Sequence, residues 1–370
     1  MVDVKLFGDT YRRKKVLITG NTGFKGSWLS AWLLSLGADV YGLSVDIPTK
    51  PSVFEELELL KKVHHAFGDI CDLATVKERI DAVEPDFVFH LAAQPIVSVS
   101  YQAPVDTILS NVLGTTHVLE ALRLYAKPCT AVIITSDKCY DNVEWVWGYK
   151  ETDALGGKDI YSGSKGAAEV IFKSYYHSFF KKPDSNIRVA TARAGNVIGG
   201  GDWALDRIVP DTMRSWSREE AVEIRNPRAT RPWQHVLEPL SGYLLLGQML
   251  HEDPKFNGES FNFGPDDSQT HTVEDILKDL SKTWRIDPGK AYRVTGDRKF
   301  HEAGLLKLNC DKALHHLHWI PVLSYEELIR YTGEWYYRFY KEGREMYDHT
   351  VGQIREYCIR AAQKERIWTK

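Results

Sequence analysis

Lys15-Val16-Leu17-Ile18-Thr19-Gly20-Asn21-Thr22-Gly23-Phe24-Lys25-Gly26 decides the fold. The apolar run Lys15–Thr19 has strand character and stops at Gly20, and Ser27 to Leu36 then carries apolar residues at helical spacing. A buried strand therefore turns through glycine into a helix. Glycines at 20, 23 and 26 let backbone N–H groups approach a pyrophosphate, which the positive end of the helix favours. A tight turn without a ligand would need the same glycines, so the flanking elements carry the dinucleotide reading.

Outward from this turn, short apolar runs alternate with helical stretches. Strands are expected at Asp39–Ser44, Val63–Phe67, Phe87–Leu91, Thr130–Thr135 and Arg188–Thr191, and helices at Ala74–Val83, Val105–Tyr125 and Tyr161–Phe180. That alternation predicts an α/β fold, a Rossmann-type doubly wound parallel sheet covered by helices on both faces. Past Gly195 the rhythm changes to glycine turns, Trp-containing loops and two isolated helical stretches, Val273–Trp284 and Tyr325–Tyr340. We read residues 1–195 as a dinucleotide-binding domain and 196–345 as mainly a smaller mixed substrate lobe with an interleaved boundary. Residues 346–370 read as a C-terminal helix or tail, with Val351, Ile354, Cys358 and Ala361 near helical spacing.

Composition sets outer limits. Lys plus Arg number 47 against 50 Asp plus Glu, which gives no overall pull toward nucleic acid or an anionic membrane. No apolar run is long enough to span a bilayer and no apolar signal core opens the chain, so a cytoplasmic protein is expected. Five scattered cysteines without a CxxC fit a reducing compartment. His64-His65 and the histidines at 315, 316 and 318 lack ligand spacing, so no metal is expected.

Candidate site residues fall at the carboxyl ends of the expected strands, where open α/β sheets place their ligands. Gly20, Thr22, Gly23, Phe24, Lys25 and Gly26 form the cofactor turn. Asp46 after the second strand suits the ribose hydroxyls of NAD and would repel a 2′-phosphate. Asp69 and Ile70 follow the third strand and suit an adenine edge or a simple helix cap. Leu91, Ala92 and Ala93 are small or apolar residues under a cofactor, with Gln94 beyond them facing substrate. Ser136, Asp137 and Lys138 end the fifth strand. Tyr161 and Lys165 lie at i and i+4 of a helix, so the ammonium is expected beside the phenol, lowering its pKa enough for proton abstraction from a sugar hydroxyl.

With these residues in this order, the chain over roughly Lys14 to Tyr340 resembles the extended short-chain dehydrogenase/reductase family that acts on nucleotide sugars. Gly23-Phe24-Lys25-Gly26-Ser27-Trp28, Thr135-Ser136-Asp137-Lys138-Cys139-Tyr140 and Arg231-Pro232-Trp233-Gln234-His235-Val236 look most like the branch that dehydrates CDP-glucose. The resemblance implies a hydro-lyase using NAD as a returning hydride carrier. Tyr161 and Lys165 would serve oxidation at C4, and water would leave across C5 and C6. Asp137 would protonate the departing hydroxyl and Lys138 would support C5 deprotonation, where dTDP-glucose relatives carry Asp-Glu. Asn196, Arg207, Arg231, Arg298 and His301 become candidates for the nucleotide diphosphate and sugar. A homodimer through helices 105–125 and 161–180 is also implied, with Leu119, Leu122, Tyr175, Tyr176, Phe179 and Phe180 as an apolar seam unless they face the sheet. The product class points to bacterial surface-polysaccharide sugars.

Rival readings stay open at this stage. A UDP-hexose 4-epimerase needs no acid and base beside Ser136. A GDP-mannose or dTDP-glucose dehydratase differs in nucleotide choice. An NAD-sensing module would not need Tyr161 or Asp137, and an RNA-binding role has only the basic residues near Arg12 to Lys15 behind it.

Overall fold

A computed structural model describes residues 5–265, 271–295, 305–343 and 345–370. The strands of the central sheet are β1 (Lys15–Thr19), β2 (Asp39–Ser44), β3 (His64–Phe67), β4 (Phe87–His90), β5 (Cys129–Ile134), β6 (Ile187–Arg193) and β7 (Ser260–Asn262). They are all parallel, in the order β7-β6-β5-β4-β1-β2-β3. The order reverses between β1 and β4, which opens a crevice at their carboxyl ends. The Rossmann-type doubly wound sheet expected from the sequence is therefore present, with β7 as an added edge strand.

Period-two alternation sends successive residues to opposite faces. Val16, Ile18, Phe87 and Phe89 join a core with Trp28, Trp32 and Leu244, whereas Leu17 and Val88 join another with Val118, Leu122 and Phe172. The first face is covered by α1 (Phe24–Ser35), and the second by α2 (Leu73–Val83), α3 (Gly114–Leu124) and α4 (Ile160–Tyr175). Capping sets the helix starts: Asp72 accepts the Ala74 N–H at 3.1 Å to open α2, and Asp159 accepts the Ser162 N–H at 2.9 Å to open α4. The helix expected at 105–125 is Pro104–Ile108 running through a π turn, Leu109–Leu113, into α3, and α4 likewise ends in a π turn at Tyr176–Phe180.

After β6 come α5 (Ile208–Ser217), α6 (Leu237–Glu252), α7 (Val273–Thr283), α8 (Tyr325–Tyr337) and α9 (Met346–Gln363). Helix α6 packs on β5 and β6, and α9 packs on α1. Glu238 ties these parts together: it accepts the Val322 and Leu323 N–H groups at 3.0 and 2.7 Å and the Tyr357 hydroxyl at 2.8 Å. Among the described residues no helix is long and apolar enough to cross a membrane.

The proposed seam needs correction. Leu119, Leu122 and Phe180 are buried beneath the sheet, and the apolar side chains left exposed on this pair of helices include Val105, Ile108, Leu109, Leu113, Val170 and Phe179.

Candidate active site at the carboxyl edge of the sheet

The glycine turn is built by close backbone approach. Gly20 has φ +77°, and a Cβ there would strike the backbone of Ala92. A Cβ on Gly26 would overlap the Gly20 carbonyl, so α1 starts hard against β1. Helix α1 follows Gly23 with no side-chain cap and no acidic residue in its first turn, which leaves its leading N–H groups for an anion. Thr22 donates its hydroxyl to the Asp46 carbonyl at 2.7 Å, holding an exposed Asp46 beside the turn. Leu91 donates its N–H to the Thr19 carbonyl at 3.0 Å, and half-buried Ala92 and Ala93 follow it across the crevice. Asp69 is exposed and accepts the Cys71 N–H at 2.8 Å, and Ile70 is buried. These residues fit a dinucleotide: open helix N–H groups for its phosphates and a carboxylate for its ribose. Sequence reasoning missed His90, which bridges Thr19 at 2.7 Å and Thr115 at 3.1 Å. Burial, with Lys165 nearby, pushes it down to about 3, so it stays neutral.

The reacting groups gather where β5 meets α4. Ser136 donates to Asp137 at 2.9 Å, accepts the Lys138 N–H at 3.2 Å and acts on neighbouring Tyr161, favouring its anionic form. Asp137 is 5% exposed and lies against Gly195, where a Cβ would fall inside its carboxylate. The i, i+4 spacing brings Lys165 Nζ to 6.0 Å from the Tyr161 ring centroid. The expected depression of the phenol does not occur. Burial pushes Tyr161 up to about 12, outweighing the opposing effects of Ser136 and the cationic Arg207. The groups driven toward neutral pH are lysines: burial lowers Lys165 to about 8, with Lys25 adding repulsion, and burial lowers Lys25 to about 8, with Arg207 adding its own.

Lys25, read from sequence as part of the cofactor turn, and Arg207, read as a candidate for the substrate diphosphate, therefore sit with the chemistry. Lys25 reaches the hydroxyl of buried Tyr243 on α6 at 3.5 Å. Arg207 is fixed by buried Asp202 at 2.8 Å and acts on both Lys25 and Tyr161. Tyr243 and Asp202 were not singled out. Tyr243 lies in an apolar run that reads as core, and the Asp202–Arg207 pairing depends on the path of a loop. Asn196 follows β6 at φ +52°, its carbonyl accepting the Gln234 N–H at 3.2 Å. Arg231 is half-buried on a two-residue strand, Thr230–Arg231, paired with His271–Thr272. Gln94 turns its amide inward, donating to Thr107 at 2.9 Å and accepting the Ile96 N–H at 2.6 Å. Arg298 and His301 lie outside the described residues.

The fold is shared with an epimerase, Mth375, of Methanothermobacter thermautotrophicus: TM-score 0.76 at 23% identity, over 91% of this chain and 95% of that one. It is also shared with the dTDP-glucose 4,6-dehydratase of Bacillus anthracis solved with NAD: TM-score 0.73 at 19% identity, over 89% of this chain and 98% of that one. In sequence, the chain is 43% identical over 350 residues to the CDP-glucose 4,6-dehydratase of Salmonella typhimurium, spanning 94% of this chain and 97% of the relative. The family model for GDP-mannose 4,6 dehydratase matches residues 17–332. On that span, with the glycine turn and the Ser136, Tyr161 and Lys165 constellation inside it, the chain belongs to the GDP-mannose 4,6 dehydratase family.

Proposed function

We propose that the chain is an NAD-dependent hydro-lyase that converts CDP-glucose to CDP-4-keto-6-deoxyglucose and water. The observation that carries this reading is Asp137, a buried carboxyl hydrogen-bonded to Ser136 in the same cluster as Tyr161. Oxidation at C4 needs the tyrosine; loss of a C6 hydroxyl needs an acid as well. The 43% identical relative, a CDP-glucose 4,6-dehydratase, supports the choice of nucleotide.

The Gly20–Gly26 turn and Asp46 would hold NAD, which when bound would supply the hydride acceptor for C4 and the donor for C6. Tyr161 takes the C4 hydroxyl proton beside Ser136, and Lys165 and Arg207 supply the positive charge that favours its anionic form. The resulting carbonyl acidifies C5. Lys138, as base or by steadying the enolate while water takes the proton, serves C5 deprotonation; Asp137 gives its proton to the departing C6 oxygen, and a solvent-derived proton returns to C5 as the hydride returns to C6. Asn196, Arg207 and Arg231 hold the diphosphate and sugar, guanidinium forks matching phosphate oxygens. Reaction in deuterated water tests this sequence: a dehydratase leaves one deuterium at C5 of the product, and product without it would refute deprotonation at C5.

We also place a homodimer contact on the exposed apolar face around Val105, Ile108, Leu109, Leu113 and Val170. Leu109→Asp should then sediment as a monomer, and an unchanged mass would remove this interface. A cytoplasmic enzyme making 4-keto-6-deoxy sugar nucleotides would serve deoxysugar synthesis for surface polysaccharides such as O-antigen lipopolysaccharide.

A further inference from the structure

Glu169 and Arg193 form a bidentate ion pair with both side chains fully buried: Nε to Oε1 at 2.9 Å and Nη2 to Oε2 at 2.8 Å. Burial alone would raise Glu169, yet the guanidinium and the Thr135 and Thr191 hydroxyls hold it below its ordinary value. Removing two charges from water is costly, and such a pair seldom stabilises more than well-packed apolar residues would. The pair is too deeply enclosed to meet a substrate. Its other partners show what it joins.

Glu169 lies one turn beyond Lys165 on α4, the helix that carries Tyr161. Thr135, immediately before Ser136, donates its hydroxyl to Glu169 at 2.5 Å. Tyr140, two residues beyond Lys138, accepts from Arg193 Nη1 at 2.7 Å and donates to Asn262 at 2.8 Å. The reacting segment Ser136–Lys138 is thus suspended between two hydroxyls anchored on one ion pair. A planar fork admits one geometry, unlike a greasy contact that slides. We infer that Glu169 and Arg193 are positioning residues that set the register of Ser136, Asp137 and Lys138 against Tyr161. The inference rests on the dehydratase reading above.

Glu169 also accepts the Thr191 hydroxyl, at 3.0 Å, from β6, a strand that carries none of the reacting residues 136–138. Thr135→Val and Thr191→Val each delete one hydroxyl from the same carboxylate and keep the ion pair. Both should lower the thermal midpoint. Thr135→Val should also lower kcat by roughly tenfold or more with KM nearly unchanged, as misplacement of reacting groups does. Thr191→Val should leave kcat within about twofold of wild type. Thr135→Ser keeps the hydroxyl and should restore the rate, and Tyr140→Phe should reproduce the loss from the other end of the turn. Equal kcat for the two valine variants would overturn the positioning role and leave the dehydratase reading standing. A wild-type chain that does not dehydrate its substrate would overturn that reading and this inference with it.

Discussion

Gly195→Ala places a single methyl group where the Asp137 carboxylate now sits. Gly195 has no positive φ, so alanine meets no backbone penalty and the perturbation acts through the carboxylate alone. An ordinary carbon contact needs about 3.5 Å, so Asp137 must retreat by more than about 1 Å. That retreat breaks its 2.9 Å hydrogen bond from Ser136. Misplacing a reacting group by that distance costs on the order of 100-fold in rate, about 2.7 kcal/mol of transition-state stabilisation. Overpacking should remove about 1–3 kcal/mol of stability, which leaves a folded enzyme to assay. The assay is water loss from CDP-glucose at saturating NAD, read by mass spectrometry beside a thermal melt and an NAD titration. Affinity for NAD should fall less than the rate, because the added methyl meets Asp137 first. A folded variant within about threefold of the wild-type rate would refute the placement of Asp137 as the acid.

Thr22→Val removes the 2.7 Å hydrogen bond that fixes the Asp46 carbonyl and should weaken NAD binding by about 1 kcal/mol, roughly fivefold in Kd by fluorescence titration. Burial lowers Lys25 and Lys165 to about 8. Both lose their charge as pH rises through that value, so affinity for the anionic cofactor should fall severalfold between about pH 7 and pH 9, with proton uptake on binding at and above it. A flat profile would place these ammonium groups away from the cofactor. Gly352 is exposed in the middle of α9, and a Cβ there meets nothing within 4 Å. Gly352→Ala should therefore add about 1 kcal/mol of stability in denaturant titrations without changing turnover.

The doubly wound sheet was legible because β1, β4 and β5 are buried on both faces and read as unbroken apolar runs. Among the elements that escaped, two did so for the same physical reason in reverse. Ser260 and Asn262 are buried polar residues of β7 that hydrogen-bond Glu169 and Tyr140, so the strand carries no apolar pattern. Helix α6 is enclosed on nearly every side, Tyr243 to Leu246 being buried in succession, and a helix apolar all round shows no 3.6-residue period. At the site, spacing alone paired Tyr161 with Lys165 and put Ser136 and Asp137 at a strand end. It could not weigh desolvation of the phenol against the opposing effects of Ser136 and Arg207, and the direction of the Tyr161 shift follows from that balance. Nor could it separate Leu119 from Leu109 as core and exposed face, since both lie on one continuous helical stretch interrupted by a π turn.

The most direct test of the central claim is to incubate the purified protein with NAD and, separately, CDP-glucose, dTDP-glucose, UDP-glucose and GDP-mannose, and to weigh the products. Loss of one water from CDP-glucose and from none of the others is the predicted result. Conversion of UDP-glucose to UDP-galactose, with no sugar losing water, would contradict it and remove the roles assigned to Asp137 and Lys138.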